Sequence, residues 1–219
     1  MASILPFDEL NTFKNGVVLQ LSAEKREDIF KSRAKNVRED IIDEMFDLFL
    51  LAYARAVEVT NTNLSSDYKP TLDEIMSVVD AKVAGKTWRE RVDDYFSKAQ
   101  AGEIPLSKGE SSAEQETGKQ EVDKGQTNLP DALVRIAETE THRIANTAAL
   151  GAAKQAGARF KTWATMLDDR VRETHDYLEG ETVEIGEDFY TFDGDHASAP
   201  GLFELAENNV SCRCELIFS

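Results

Sequence analysis

Apolar residues recur at three- and four-residue steps through the first half of the chain, and that period predicts helices. Ser22, ahead of Glu24 and Lys25, is placed to cap a first helix. Along it Val37, Ile41, Met45, Leu48, Ala52 and Ala56 make one apolar stripe running to about Val59. After a polar break over 61–70, a second helix is expected over 71–83, with Leu72, Ile75, Met76, Val79 and Val83 inward and Gly85 as its stop. A third starts at Thr87 and turns Trp88, Val92, Tyr95, Phe96 and Ala99 to one side.

Between 102 and 128 the pattern lapses. The segment has no aromatic residue and is rich in Glu, Lys, Gln, Ser and Gly, too little apolar surface to offset its ordering entropy, so a flexible linker is expected. Helical period returns after Asn128 and Pro130, with Leu133, Ile136, Ala137, Ile144, Ala148 and Ala152 carrying the stripe to Gly157. Beyond Gly157 the period shortens. Strands are expected over 160–166, 182–185, 189–192 and 213–218, with a short helix or helical loop over 168–178 and turns at Asp193-Gly194 and Pro200-Gly201. The fold class that follows is α+β: a helical N-terminal region (1–101), a linker (102–128) and a small α+β C-terminal module (129–219) with short antiparallel strands.

Composition narrows the function classes. Of 219 residues, 41% are apolar, enough to bury a core, and the net charge is −16. From Glu181 onward there are nine acidic residues and one basic residue, Arg213. Such a chain repels phosphate, which argues against a general duplex binder and leaves any DNA contact open, while an acidic inhibitor that mimics DNA stays as a third reading. The start carries no basic-then-apolar signal, and the longest apolar run, 48–54, falls well short of the ~20 residues of a membrane span. Two cysteines fit a reducing compartment, so a protein of the cytosol with no membrane partner is expected.

Gly85-Lys86-Thr87 resembles the end of a phosphate-binding loop, but Asp80 stands where that loop needs its first glycine and a helix, not a strand, precedes it. A helix–turn–helix junction is the expectation. The stretch from Asp168 to His175 (DDRVRETH) offers more. On a helix Asp168, Arg172, His175 and Glu179 would share a face, either as a ladder of surface ion pairs or as a carboxylate support for a metal-binding imidazole. Cys212 and Cys214 would point to the same side of a strand, where a disulfide is strained but a shared metal is not. His175, Cys212 and Cys214, with His196 as fourth ligand, form a candidate structural zinc site; the alternative is two thiols packed in a core. An enzyme of transferase or hydrolase type using His175 and a cysteine is the runner-up function, though no oxyanion stabiliser or third orienting group has a recognisable signature.

Taken in order, Thr139-Glu140, Asn146, Lys161-Thr162-Trp163, Asp168-Asp169-Arg170-Val171-Arg172, His175, Leu178, Phe189, Gly194, Pro200-Gly201 and Asn209-Val210-Ser211-Cys212-Arg213-Cys214 carry a resemblance over about 130–219. The series resembles the phage head morphogenesis family, whose namesakes are the Mu F protein and the minor head protein of phage SPP1. Ser211 stands where that family usually has Asn. The resemblance implies a non-catalytic minor capsid protein, partnered by the portal protein and by capsid or scaffold proteins, found in the virion near the portal and in the host cytoplasm during assembly. It implies a role in head assembly, DNA packaging or DNA release. It also implies a variable helical N-terminal part, and leaves no space here for an appended toxin domain. Some relatives are likened to ADP-ribosyltransferases, but no Arg…Ser-Thr-Ser…Glu series supports that chemistry in this sequence.

Overall fold

The computed structural model describes residues 26–104 and 131–219, with side chains described from residue 38 onward. The expected caps at Ser22, Asn128 and Pro130 and the linker over 105–128 lie outside the described residues. In chain order the helices are α1 (Arg26–Leu64), α2 (Leu72–Val79), α3 (Trp88–Gln100) and α4 (Asp131–Gln155). They are followed by β1 (Phe160–Ala164), α5 (Glu173–Asp176), β2 (Thr182–Glu184), β3 (Phe189–Tyr190), β4 (His196–Ala197), α6 (Ala206–Asn209) and β5 (Glu215–Phe218). The chain is mixed α+β, helical first and with short antiparallel strands after, as its periodicity indicates.

Helices α2 and α3 begin with the same device. Thr71 and Thr87 each accept a hydrogen bond from a backbone N–H three residues on, and Glu74 and Glu90 reach back to the two cap N–H groups. Both reciprocal bonds satisfy donors that a helix start would otherwise leave open. Helix α2 stops at Val79 rather than 83, because the next residues fold into a tight turn closed by the Val83–Lys86 bridge. Ala84 (φ 48°) and Gly85 (φ 80°) take left-handed backbone there. The Gly-Lys-Thr sequence is thus the helix–turn–helix junction, with Thr87 spent on capping α3.

Two apolar cores result. In the first, Ile41, Met45, Phe49, Tyr53 and Val57 of α1 meet Trp88, Val92 and Phe96 of α3 and Leu133, Ala137 and Ile144 of α4. Phe49 and Trp88 pack edge to face at 5.0 Å, the geometry their quadrupoles favour. The second gathers Leu150 of α4 with Trp163, Leu178, Phe189, Phe203, Cys212, Cys214 and Leu216. Helix α4 contributes to both. Its alanines at 145, 148, 149, 152 and 153 are all buried, which allows close approach on several sides.

The main sheet has the order β2-β1-β5, antiparallel throughout, with Trp163 opposite Leu216. A two-stranded hairpin, β3-β4, lies beside it in sequence. Strands end sooner than the hydrophobic runs imply: β3 stops at Tyr190, and β5 starts at Glu215, after both cysteines.

Helix α4 also buries polar groups, and each of three has assigned work. Arg143, 1% exposed, bonds Glu140 within its own helix (2.6 Å) and sends Nη1 and Nη2 to the carbonyls of Val78 and Val79 (2.9 and 3.2 Å). Those are carbonyls in the last turn of α2, where helical N–H donors run out and Val78 O has only a long bond from the Ala81 N–H (3.4 Å). His142 and Asn146 reach instead to the carbonyl of Cys214. Gly201 sits directly over Arg143: a Cβ there would meet Arg143 Cβ at 2.9 Å and its Cα at 3.0 Å, and φ is +89°. Gly201→Ala therefore carries both a backbone penalty and a clash with a helix, and is expected to cost about 2 kcal/mol or more of stability. Urea unfolding of the two proteins checks this; equal midpoints would contradict the close approach.

Candidate metal centre

His175, Cys212 and Cys214 come together from two directions. Strand β1 passes Trp163 inward and leads into the 165–172 loop, which Glu179 holds by accepting the Thr165 N–H at 2.6 Å. Single-turn helix α5 then presents His175, whose ring lies between Trp163 (edge-on, 5.4 Å) and Phe203 (stacked, 5.2 Å). From the other side, α6 ends at Asn209, and Ser211 turns the chain with φ 56° before the two cysteines. The left-handed conformation at Ser211 is one that Asn tolerates several-fold better than most residues, which gives a physical reason for the Asn usual there.

The Nδ1 atom of His175 lies 3.4 Å from Cys214 Sγ and 3.6 Å from Cys212 Sγ, and the three atoms fall within 4.8 Å of one another. All three residues are buried. The thiols are free rather than bridged. The S–H of Cys214, and after it His175, hold the Cys212 thiol well below its ordinary range. Cys214, the donor of that bond and itself buried beside the Cys212 charge, is pushed far up.

Three expectations change. His196 does not join the group: it lies on β4, half-exposed, stacked on Tyr190 at 5.5 Å and 3.9 Å from Asp188. Over 168–178 the chain is a helical loop, with a single helical turn at Glu173–Asp176 between flanking turns, and not one continuous helix face. Asp168, Arg172, His175 and Glu179 therefore have separate partners instead of one shared face. No carboxylate supports the imidazole; His175 Nε2 is buried with no hydrogen-bond partner. The cysteines precede β5 rather than alternating within it, and they reach His175 because the turn at Ser211 aims the segment.

Several neighbours fix this geometry. Asp168 takes a two-pronged bond from Arg213 (2.8 and 2.6 Å), the residue between the cysteines, and one from the Arg170 N–H. Arg172 donates to the Val210 carbonyl at 2.6 Å. On the helix side, Asn146 and the His142 ring converge on the Cys214 carbonyl at 3.1 and 2.6 Å. Thr174 bonds Asn208, which donates to the buried carboxylate of Asp195; that carboxylate also accepts the N–H groups of His196, Glu204 and Leu205. Sequence reasoning missed His142 and Asp195. The period of α4 marks His142 as one more helical position, and the Asp-Gly turn masks Asp195 as a loop residue.

A cavity of about 10 Å³ opens beside the three ligand atoms, lined by Met166, Arg170, Val171, Arg172 and Ser211 among others. That is room for about one water. The arrangement has room for a small ion and about one water.

Comparison with known proteins gives the family. The chain belongs to the family of Phage Mu protein F like proteins, whose family model matches residues 103–217. It is thereby a protein of the phage minor head class. Among its relatives, the minor head protein GP7 of Bacillus phage SPP1 is 25% identical over 272 residues, an alignment covering 96% of this chain and 86% of that protein. The NAD(+)–arginine ADP-ribosyltransferase EFV of Enterococcus faecalis is 27% identical over 217 residues, and the chain spans 42% of its length. No solved structure matches the chain.

The Asp168–Arg213 link generates a pH test. Arg213 first, and the Arg170 N–H after it, hold the Asp168 carboxyl down at about 2. An unfolded Asp titrates near ~3.9, so the unfolded chain binds the proton first as pH falls. The stabilisation is complete above ~4 and disappears as pH drops through the folded value. The melting-temperature gap between wild type and Asp168→Asn is thus expected to hold steady above pH ~5 and to close between about pH 4 and pH 2. A gap that does not change over that range would contradict the pairing.

Proposed function

We propose that this protein is a non-catalytic component of a phage or prophage head that docks on the portal and its surrounding procapsid during assembly, packaging or DNA release. The match to a minor head protein, covering 96% of this chain and 86% of that protein, supports the general role. The observation that carries the docking reading is a surface one. Tyr177, Tyr190 and Phe192 are 63%, 59% and 56% exposed, and Tyr177 packs edge to face on Phe192 at 5.9 Å.

Aromatic rings left in water at a loop cluster cost free energy unless a partner covers them. Asp176 directly precedes Tyr177 and Asp193 directly follows Phe192, and Arg213 is the one basic residue from Glu181 on. An apolar centre with an acidic rim fits a basic, partly apolar protein surface and disfavours the DNA backbone. Among the described residues no helix is long and apolar enough to cross a membrane. The ADP-ribosyltransferase relative extends far beyond the stretch it shares with this chain, and the thiol–imidazole cluster is walled by Trp163 and Phe203, which supports a structural use of those residues.

The test is capture of the portal protein of the same phage by the full chain, with Tyr177→Glu/Phe192→Glu as the contrast. The wild type is expected to retain portal and to lose it progressively as salt rises past ~0.5 M. The double variant is expected to lose it while keeping the same melting temperature. Equal capture by both proteins, or no capture by the wild type, would contradict the docking reading.

A further inference from the structure

We propose that His175, Cys212 and Cys214 bind one zinc ion through Nδ1 and two thiolates, with water in the adjoining cavity as the fourth ligand. Spacing is the first argument. Zinc bonds of roughly 2.3 Å to sulfur and 2.0–2.1 Å to nitrogen, at tetrahedral angles, set nitrogen and sulfur about 3.5 Å apart. The two such distances here are 3.4 and 3.6 Å. Both nitrogen–sulfur separations thus match those around zinc, and the two sulfurs lie within 4.8 Å of each other.

Charge is the second argument. Two thiolates cancel the charge of a divalent zinc, and a neutral centre suits a site walled by Trp163, Leu178 and Phe203. Binding releases the thiol protons to solvent and leaves the sulfur oxidation state unchanged. Closing a disulfide between Cys212 and Cys214 would instead need an oxidant and strained geometry. The donor set, two sulfurs and one imidazole, selects zinc over magnesium or calcium.

Preorganisation is the third. The Cys214 carbonyl is held by His142 and Asn146, and the intervening Arg213 by Asp168, so the ligand segment is fixed from both sides. Because α5 and the segment before β5 share no backbone pairing, the metal would join them directly. His196 stays outside, and the fourth position faces the cavity lined by Met166, Arg170 and Ser211.

The experiment uses the full 219-residue chain, purified without chelator and assayed for metal by mass spectrometry. About one zinc per chain is expected, falling below about a tenth in Cys212→Ser/Cys214→Ser, while His196→Ala keeps the full amount. Since the cysteine variant can fail to fold, the wild type is also stripped and reloaded with cobalt. Sulfur-to-cobalt charge-transfer absorption with the intense visible bands of a four-coordinate site is expected. Wild type that takes up less than about a tenth of an equivalent of zinc after reloading would overturn the proposal. So would a cysteine variant that keeps its zinc, a His196→Ala protein that loses it, or a cobalt spectrum lacking thiolate bands.

Discussion

Helix α4 is buried on more than one side, and every polar group it carries inward must find a partner there. An unpaired buried polar group costs on the order of 1–3 kcal/mol, and an unpaired charge more. The helix meets this constraint in part, by spending polar side chains on other elements, while Thr141 Oγ1, His142 Nδ1 and Asn146 Oδ1 stay buried without a partner. Arg143 answers the last-turn carbonyls of α2, while His142 and Asn146 answer the carbonyl of Cys214. One helix thus ties the N-terminal helices to the C-terminal strands. The close seat of Gly201 over Arg143 adds a contact that only a residue without a side chain can make.

From that anchor the rest of the C-terminal part follows. With Cys214 fixed from the helix side, Arg213 is free to hold Asp168, and the 165–172 loop is drawn over the cysteines. His175 is then delivered between two aromatic rings with Nδ1 toward both sulfurs. The hairpin and α6 are organised separately, around the carboxylate of Asp195 with its four donors. What emerges is a rigid scaffold with aromatic side chains on its outside. The buried thiol–imidazole cluster has room for about one water beside it.

Much of this was legible in the sequence, for identifiable reasons. Helices α1, α3 and α4 carry long apolar periods, and Thr71 and Thr87 announce the starts of α2 and α3 through the Glu three residues later. The C-x-C pair and His175 stand out because few residue types bind soft metals. The misreadings arose where tertiary contacts decide. Helical spacing over 168–178 looked like one face, yet a bidentate Asp168–Arg213 bond and the packing of His175 leave only four residues helical. His196 is attractive as a ligand by residue type alone, but the Asp193-Gly194 turn folds it back beside Tyr190 on the β3-β4 hairpin. His142 and Asp195 were invisible because a buried polar residue is defined by partners distant in sequence.

Native-state amide hydrogen exchange, followed against low denaturant concentrations, tests most directly whether α4 couples the two cores. If its polar side chains bind them into one unit, amides of α4 at 142–150 and of β1 and β5 converge on a single opening free energy, close to that of global unfolding. Exchange of β1 and β5 through a separate, lower-energy opening, with α4 still protected, would contradict that account.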